Sequence, residues 1–488
     1  MTRQLPEIHA RPLIGGEWTD RDLERRNVYS PVTGAALGSI ALCDSRFADM
    51  ALSAANRAAG DWSHTTVFER IEVFEKVKQV LAARRDEIAT VIAYEVGKEF
   101  AHESRGEIDE AIAHFDEAIT GCRDLEGRLL PSAVPSCRNY AYRVARGTVV
   151  AIQPWNFPIA MAVQHIAPAL AGGNTVVMLP APTTTLSATL LVECLVEAGL
   201  PAGVLNLVTG DGAVIGDALT RDERADVVAF TGSTATGRLI AANAHNRAQI
   251  LELGGNGPMV ILEDADLDKA AEGVVMSSTV ASGQACTSAE LILVHSEVYD
   301  AFAARLVAEV ENTTRVGDPF DEQTTMGPLQ NESTAIKVAT HVRDAIDNGA
   351  KVLTGGSPLT GFDTDLYWPP TVLTGVTNDM LISRSETFGP VMPLQRIESE
   401  DEALAIIDAS EYGLASSVYT RDIGRGLRFA ERASTGMANV NLPSVWSEYH
   451  LPFGGRSGKG SGTGRVQGRF ALTDVFTELK TIIVDLGQ

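Results

Sequence analysis

Residues 147–158 read Gly-Thr-Val-Val-Ala-Ile-Gln-Pro-Trp-Asn-Phe-Pro, a short apolar run that ends in a polar, proline-containing loop. The apolar part, Thr148–Ile152, predicts a strand. Helical stretches such as residues 183–198 alternate with similar apolar runs at residues 175–179, 204–208 and 227–230. This alternation predicts a parallel, doubly wound α/β sheet, which binds ligands at the carboxyl ends of its strands.

The same alternation of apolar runs and helical stretches recurs in the second half of the chain. Strands are predicted at residues 259–262, 291–295 and 351–353, with helices at 267–280 and 298–312. They indicate a second doubly wound α/β domain, with a boundary near Gly254-Gly255.

The remaining segments are less regular. Residues 1–66 read as an irregular arm with a short strand signal at 11–18. Apolar residues then recur at helical spacing in residues 67–96 and 100–119. Exposed strands are predicted at residues 139–144 and 474–485, and the second needs a neighbour to pair with.

Length and charge limit the classes of protein that fit. A chain of 488 residues with 45% hydrophobic residues can form two or three globular domains. The net charge of -23 disfavours nucleic acids and anionic membranes as partners, because both require a basic surface. Residues 1–7 lack the apolar core of a signal peptide, and polar and proline residues interrupt the most apolar window, 148–170. Five scattered cysteines fit a reducing compartment, so we expect a soluble cytoplasmic protein.

One cysteine lies in a setting suited to chemistry. Cys286 lies among small residues in Ser-Gly-Gln-Ala-Cys-Thr-Ser, residues 282–288. The chain has no Cys-x-x-Cys motif, so we expect neither a zinc site nor another metal site. A thiol in such surroundings is suited to attack a carbonyl carbon, although an isolated cysteine is more often a buried packing residue.

Two predicted loops follow strands. In the first, the side-chain amide of Asn156 could donate to a developing oxyanion, or the residue could form a structural turn. In the second, Gly232 and Gly237 open a predicted helix, whose free N–H groups favour a pyrophosphate. An ordinary strand–turn–helix is the alternative, since the spacing is not that of the dinucleotide fingerprint.

Two acidic residues, Glu252 and Glu386, are further candidates for a functional site. Glu252 lies between two leucines ahead of a double glycine, and burial there would raise its pKa towards that of a general base. Glu386 and Phe388 could hold a ribose and pack beside a flat ring, or could be a solvated acid and a core residue. Residues 451–462 contain Gly-Lys without the P-loop spacing, which indicates a turning loop.

Taken together, six stretches resemble the aldehyde dehydrogenase superfamily in content and order over residues 12–477. They are Pro-Trp-Asn-Phe-Pro (154–158), Phe-Thr-Gly-Ser-Thr-Ala-Thr-Gly (230–237), Glu-Leu-Gly-Gly (252–255), Gly-Gln-Ala-Cys-Thr-Ser (283–288), Glu-Thr-Phe-Gly-Pro-Val (386–391) and Pro-Phe-Gly-Gly (452–455). The resemblance implies NAD(P)-dependent oxidation of an aldehyde to the carboxylic acid. Cys286 would attack the aldehyde, giving a thiohemiacetal and then a thioester. Asn156 and the Cys286 N–H would hold the oxyanion, and Glu252 would activate water.

The resemblance also implies a cofactor site, a substrate tunnel and a three-part build. NAD or NADP would contact Trp155, Gly232, Ser233, Leu253, Glu386 and Phe388. The tunnel would be lined by Phe157, Trp446, Tyr449 and Phe453. The cofactor-binding domain would span residues 1–122 and 147–253, the catalytic domain 254–455, and the strands that join subunits into a homodimer or homotetramer 123–146 and 470–488.

One stretch departs from the family pattern. After residues 174–177 the family usually has Lys-Pro, often with an acid two residues after the proline, and both side chains hold the adenine-side ribose. Here Leu179 and Pro182 occupy those positions. The sequence therefore predicts weak cofactor binding and leaves the choice between NAD and NADP open.

The substrate is also left open. The tunnel aromatics permit an aromatic aldehyde, whereas residues 438–443 and 448–450 resemble those of enzymes acting on dicarboxylate semialdehydes. Two other functions remain possible. A CoA-acylating enzyme would use the same cysteine but usually lacks a carboxylate at the position of Glu252, and only Leu179 and Pro182 favour a catalytically silent binding protein of this fold.

Overall fold

The computed structural model describes residues 8–20 and 22–487, and within them the chain forms two large sheets. The strand order of the first is Gly462–Thr463, Ala248–Glu252, Val227–Thr231, Thr148–Ile152, Thr175–Leu179, Leu205–Leu207, Leu13–Ile14 and Glu17–Trp18. The strands from Ala248–Glu252 to Leu205–Leu207 are parallel, and antiparallel strands flank them on both sides.

Apolar cores cover the first sheet on both faces. Successive side chains of a strand point to opposite sides of the sheet, so neighbouring residues enter different cores. In the strand Thr148–Ile152, Val149 and Ala151 pack into one apolar core, whereas Val150 and Ile152 pack into another. The helices of this half are Ser45–His64, Val67–Ala83, Arg85–Val96, Arg105–Arg123, Ala160–Ala171, Thr185–Glu197, Asp217–Arg221 and Thr234–Ala244. The predicted doubly wound arrangement is confirmed.

The second sheet repeats the plan. Its strand order is Lys351–Thr354, Thr371–Thr374, Val391–Ile397, Ile292–His295, Met259–Ile261, Ala415–Tyr419 and Met437–Val440, and Lys351–Thr354 is its antiparallel member. Its helices are Leu267–Thr279, Tyr299–Thr313, Glu332–Asp347, Leu381–Arg384, Glu400–Ala409 and Ile423–Arg432. Met259 and Val260 again pack into different cores, so helices cover this sheet on both faces as well.

A third, antiparallel sheet of three strands is separate from the two large sheets. The strand Cys137–Ala145 pairs with Thr477–Asp485 along its whole length and with Arg128–Leu130 on the other side. Both exposed strands predicted from the sequence therefore exist and pair with each other. Short helical turns complete the chain at Phe100–Ser104, Pro182–Thr184, Gly212–Gly216, Val280–Gly283, Gly468–Ala471 and Leu472–Phe476.

The prediction of an irregular arm over residues 1–66 is wrong for its described part. Residues 1–7, which bear on the signal-peptide prediction, lie outside the described residues. Beyond them, Ile8–Ala10, Arg25–Tyr29 and Ala36–Ala41 form a small sheet, and the long helix Ser45–His64 follows. Across residues 8–20 and 22–487, no helix combines the length and apolar character needed to cross a membrane.

Candidate active site

All the predicted site residues line one cavity of about 800 Å³. It lies where strands of the first sheet end, since the loops after Ile152, Leu179 and Thr231 contribute to its wall. The predicted residues in the wall are Trp155, Asn156, Phe157, Gly232, Ser233, Glu252, Leu253, Cys286, Glu386, Phe388, Trp446, Tyr449 and Phe453. The structure brings them together, while the role of each stays a prediction.

Cys286 follows a strained turn at the end of the helix Leu267–Thr279. Ala281 and Ser282 have φ angles of 48° and 59°, and Gly283 continues the left-handed conformation with a φ of 74°. For a residue with a side chain this conformation costs about 1–3 kcal/mol, and it persists only where the surroundings hold it. We therefore interpret the turn as a feature that fixes the position of the thiol.

Hydrogen bonds from distant segments hold this turn. The Ser282 hydroxyl donates to a backbone carbonyl at 2.8 Å, and the Ala281 N–H donates to the carboxylate of Glu103 at 2.7 Å. The side-chain amide of Gln284 donates to the Ala281 carbonyl at 2.7 Å and accepts from the N–H of Gln330 at 2.9 Å. The sequence analysis did not identify Glu103, because it lies outside every motif.

The double glycine after Glu252 brings that residue beside residues 280–288, which we call the cysteine loop. A Cβ atom on Gly255 would lie 2.0 Å from the carbonyl oxygen of Cys286, and one on Gly257 would lie 2.0 Å from that of Ser288. Real Cβ atoms do not approach backbone oxygens so closely. Glycine is therefore required for the segment to run against the backbone of the cysteine loop.

Glu252 is 1% exposed, and its carboxyl group and the Cys286 thiol border the same cavity as neighbours. Burial raises the pKa of this carboxyl to about 8, the charge of Glu386 adds to the rise, and the thiol contact opposes it. Burial and the neighbouring Glu252 also raise the pKa of the Cys286 thiol well above its ordinary value. A carboxyl group with a pKa near 8 is suited to accept a proton close to neutral pH.

Asn156 is tied to the same loop. Its Nδ2 donates to the carbonyl of Gln284 at 2.8 Å, which uses one of the two amide hydrogens and orients the group. The following chain is anchored by Glu107, a buried carboxylate that the sequence analysis missed. Glu107 accepts from the N–H of Ile159 at 2.8 Å and so satisfies the start of the helix Ala160–Ala171, which has no side-chain cap of its own.

Glu386 and Phe388 lie in the same wall. The Glu386 carboxylate accepts from the N–H of Gly255 at 3.1 Å, and the Lys337 ammonium lies 3.9 Å away. Burial raises the pKa of Glu386, and Lys337 opposes that rise. The Phe388 ring meets the Trp155 ring edge-on, with centroids 5.4 Å apart. An acid and two crossed rings thus border the cavity together.

A further buried acid, Glu290, holds Phe388 in position. Its carboxylate accepts from the N–H groups of Thr387 and Phe388, both at 2.5 Å. These bonds support a φ of 61° at Phe388, which is rare for an aromatic residue. Burial and the charge of Glu386 raise the pKa of Glu290 to about 8. The sequence analysis missed Glu290, although an acid within an apolar run was a visible signal.

The helix Thr234–Ala244 begins at the cavity wall. Its N-cap is Ser233, whose Oγ accepts from the N–H of Thr236 at 3.3 Å. A Cβ atom on Gly237 would lie 2.3 Å from the side chain of Leu253, so glycine lets the first turn pack against that residue. The positive end of the helix dipole therefore faces the cavity.

Residues 179–182 and Gly212 form a part of the lining that we call the Leu179 wall. None of these residues carries a charged side chain. Leu179 is 1% exposed and packs in an apolar core with Ile152 and Val208. This wall offers apolar contact but neither an ammonium nor a carboxylate group.

Similarity to known proteins extends over nearly the whole chain. Residues 18–482 match the model of the aldehyde dehydrogenase family. The chain belongs to this family. It is 37% identical to a glutarate-semialdehyde dehydrogenase of Pseudomonas putida over 476 residues, which cover 97% of each protein. It is 36% identical over 477 residues, again 97% of each, to an Escherichia coli protein named succinate-semialdehyde dehydrogenase [NADP(+)].

The solved structures agree. A crystal structure of Staphylococcus aureus betaine aldehyde dehydrogenase in complex with NAD+ matches this chain with a TM-score of 0.93 at 30% sequence identity. The match covers 98% of this chain and 95% of that one. The chain is therefore an NAD(P)-dependent oxidoreductase that converts an aldehyde to the carboxylic acid.

Proposed function

We propose that Cys286 is the nucleophile of this oxidation, that Asn156 holds the oxyanion, and that Glu252 activates water. The observation that supports these roles is that one cavity is lined by the Cys286 thiol, by the buried carboxyl of Glu252 and by Asn156, whose amide is bonded to the residue two before Cys286. Among the described cysteines, Cys43, Cys122 and Cys194 are buried, and Cys137 is partly buried away from the cavity.

The reaction has two halves. After losing its proton to water, the Cys286 sulfur attacks the carbonyl carbon and forms a thiohemiacetal. The new oxyanion is stabilised by the second N–H of the Asn156 amide and by the backbone N–H of Cys286. The adduct becomes a thioester when it gives up a hydride to the acceptor that bound NAD(P) would supply. Glu252 then takes a proton from water, whose oxygen attacks the thioester and releases the carboxylic acid and the Cys286 thiolate. The thiolate regains a proton from Glu252.

The cavity residues fit NAD(P), which supplies the hydride acceptor when bound. The start of the helix Thr234–Ala244 presents N–H groups suited to a pyrophosphate, with Gly232, Ser233 and Leu253 around it. Glu386 is an acceptor suited to ribose hydroxyls, and the rings of Trp155 and Phe388 border the nicotinamide side. We assign the cofactor to these six residues.

We infer that this enzyme binds its cofactor weakly and discriminates little between NAD and NADP. The Leu179 wall contains no carboxylate to bind a ribose diol or repel a 2′-phosphate, and no cation to attract one. The helix start and Glu386 would then supply most of the polar contacts.

The aldehyde belongs to one of two classes. The two curated relatives above are named for semialdehydes of dicarboxylic acids, which carry a distal carboxylate. The aromatic residues Phe157, Trp446, Tyr449 and Phe453 of the wall support an aromatic aldehyde instead.

An aldehyde panel tests the proposed function. Purified enzyme is mixed with each aldehyde and either NAD or NADP, and the reduced cofactor is followed by absorbance. We expect oxidation with no requirement for coenzyme A, because Glu252 allows water to release the product. Acceleration by coenzyme A with an acyl-CoA product would indicate the acylating reaction instead, and no turnover with either cofactor would contradict the proposal.

We propose that the third sheet joins subunits into a homodimer or homotetramer. Its strand Thr477–Asp485 exposes Leu479 to 64% and Ile483 to 70%, and Leu129 on another strand is 65% exposed. Apolar side chains concentrated on this third sheet indicate an interface. Light scattering of wild type and Ile483→Glu tests this, since the variant is expected to shift towards monomer.

We also propose that the enzyme is cytoplasmic. Its five cysteines are odd in number, and in the described structure all are free thiols. This pattern fits a reducing compartment. Fractionation of the native host with an antibody to the enzyme tests the location.

A further inference from the structure

On the side of the cavity that we assign to the substrate, the described lining is mainly apolar and contains one acid. Phe157, Met161 and Val280 line the cavity together with the aromatic residues of the 445–453 segment. The acid is Glu110, whose negative charge adds to the effect of burial in raising the pKa of Tyr449, so the two groups are neighbours. An aldehyde that enters here therefore meets rings, aliphatic side chains and a carboxylate.

In the part of the chain that the structure describes, no lysine or arginine free to meet a substrate carboxylate lines this side of the cavity. Among the described residues that line the cavity, Lys337 is the one lysine or arginine, and it lies 3.9 Å from Glu386 on the cofactor side. Lys98 Nζ lies 3.2 Å from the centroid of the Phe157 ring but outside the lining, and it is paired with Glu107 at 2.6 Å. His114 also lies outside the lining, and its Nε2 is 3.5 Å from the Glu110 carboxylate.

Two buried amides add a second observation. Gln164 and Gln467 line the cavity and are 2% and 3% exposed. Within residues 8–20 and 22–487, neither Oε1 atom has a hydrogen-bond partner. Gln467 lies on the substrate side, because a Cβ atom on the adjacent Gly468 would be 3.7 Å from the carbonyl oxygen of Tyr449. A buried acceptor without a partner is unfavourable, and a donor group on a ligand would relieve it.

We propose that the enzyme selects an uncharged aromatic aldehyde with a hydroxyl group on its ring and disfavours an aldehyde with a distal carboxylate; this inference rests on the proposed function. A carboxylate drawn into this wall would lose water, gain no cation and face Glu110. A phenolic hydroxyl would instead donate to a glutamine oxygen, while its ring packs among the aromatic residues.

Steady-state kinetics with three probes tests the inference. The probes are 4-hydroxybenzaldehyde, benzaldehyde and succinate semialdehyde, each at saturating cofactor. For wild type we expect kcat/KM for 4-hydroxybenzaldehyde to exceed that for benzaldehyde by about threefold to tenfold, the size of one neutral hydrogen bond. The kcat/KM for 4-hydroxybenzaldehyde should exceed the kcat/KM for succinate semialdehyde by about a hundredfold, because the carboxylate of the semialdehyde would be uncompensated in the cavity. A preference for the semialdehyde would overturn the inference.

Two substitutions at one position sharpen the test. Gln164→Arg adds a cation and is expected to raise kcat/KM for succinate semialdehyde at least about tenfold while lowering that for 4-hydroxybenzaldehyde. Gln164→Met keeps the length without charge or acceptor, so it should weaken the preference for the hydroxyl group and leave the semialdehyde unimproved. Gln467→Met serves as a second variant if Gln164→Arg does not fold, and it should also weaken that preference.

A readout without turnover separates this inference from the proposed function. Each aldehyde is tested for protection of Cys286 against iodoacetamide, with alkylation measured by mass spectrometry. Protection by 4-hydroxybenzaldehyde at lower concentration than by succinate semialdehyde supports the inference even if no aldehyde is oxidised, a result that would refute only the proposed function. The reverse order of protection overturns the inference while leaving the nucleophile assignment intact.

Discussion

The cysteine loop and the Leu179 wall border the same cavity but are built in opposite ways. The cysteine loop contains two strained residues, Ala281 and Ser282, and depends on Gly255, where no side chain fits. It is surrounded by buried acids with raised pKa values, Glu252 among them. In the Leu179 wall, Leu179 ends an unstrained strand and packs in an apolar core, and none of the wall's residues carries a charge.

This difference predicts which property of the enzyme a substitution in each region should change. A reacting thiol and a base must be held within a fraction of an ångström, and the strained residues and the close glycine contact beside Cys286 can hold the loop in this way. A wall that only contributes contact to a bound cofactor needs no such constraint. Changes in the cysteine loop should therefore alter rate or stability, whereas changes in the Leu179 wall should alter cofactor affinity and, at the buried Leu179, stability, but not the chemical step.

The largest effect is expected for Cys286→Ala. The side chain that would form the covalent intermediate is lost, so aldehyde oxidation should fall by at least about a thousandfold. Cofactor binding and melting temperature should stay close to those of wild type. Cys137→Ala is the matched control, because Cys137 is partly buried but does not line the cavity. Substantial aldehyde oxidation by a well-folded Cys286→Ala variant would contradict the assignment of Cys286 as the nucleophile.

Glu252→Gln should slow release of the acid by about a hundredfold to ten-thousandfold, the range for loss of a general base. Rapid mixing should show a burst of reduced cofactor followed by slow turnover, since the carboxylate is needed only when water attacks. Loss of the burst itself would mean that Glu252 acts earlier, on the Cys286 thiol.

The pH dependence of the same two proteins gives a second check. The base form of Glu252 is the ionised one, and its pKa is raised to about 8. If release of the acid is rate-limiting, the wild-type rate should rise with pH through about 8, and this rise should be absent in Glu252→Gln. A wild-type rate that is flat between pH 6 and 9, in an assay limited by acid release, would contradict this assignment.

The glycine contacts are tested by a matched pair, Gly255→Ala and Gly254→Ala. The added Cβ at Gly255 meets a backbone oxygen at 2.0 Å, so the cysteine loop must shift, and we expect a loss of about 2–3 kcal/mol in the free energy of unfolding. The added Cβ at Gly254 lies 2.9 Å from the movable carboxylate of Glu386, and the loss should stay below about 1 kcal/mol. Urea unfolding measures both values. Equal losses would show that the close approach at Gly255 is not a constraint.

The resemblance of six motifs, in order, to one family predicted which residues share the site, and the geometry of parallel strands accounts for the loops after Ile152, Leu179 and Thr231. The residues that support them were not predicted. Glu290 bonds to an N–H group 97 residues away, and Glu103 to one 178 residues away, and neither spacing leaves a local signal. The helix Ser45–His64 was missed because its buried face is largely alanine, which gives weak apolar periodicity.

The smallest effect is expected for Leu179→Lys, which tests the Leu179 wall directly. A lysine ammonium that donates to ribose or phosphate oxygens contributes about 1.5–3 kcal/mol, so the variant should bind at least one cofactor roughly tenfold to a hundredfold more tightly. Leu179→Met is the control, because it keeps the apolar volume without a charge. Adding Pro182→Glu to Leu179→Lys should shift the preference to NAD by repelling a 2′-phosphate. Calorimetric titration of NAD and NADP measures binding to wild type, Leu179→Lys, Leu179→Met and the double variant. If wild type binds tightly and the lysine brings no improvement, other groups have replaced the missing contacts. The inference of weak cofactor binding from the Leu179 wall would then be wrong.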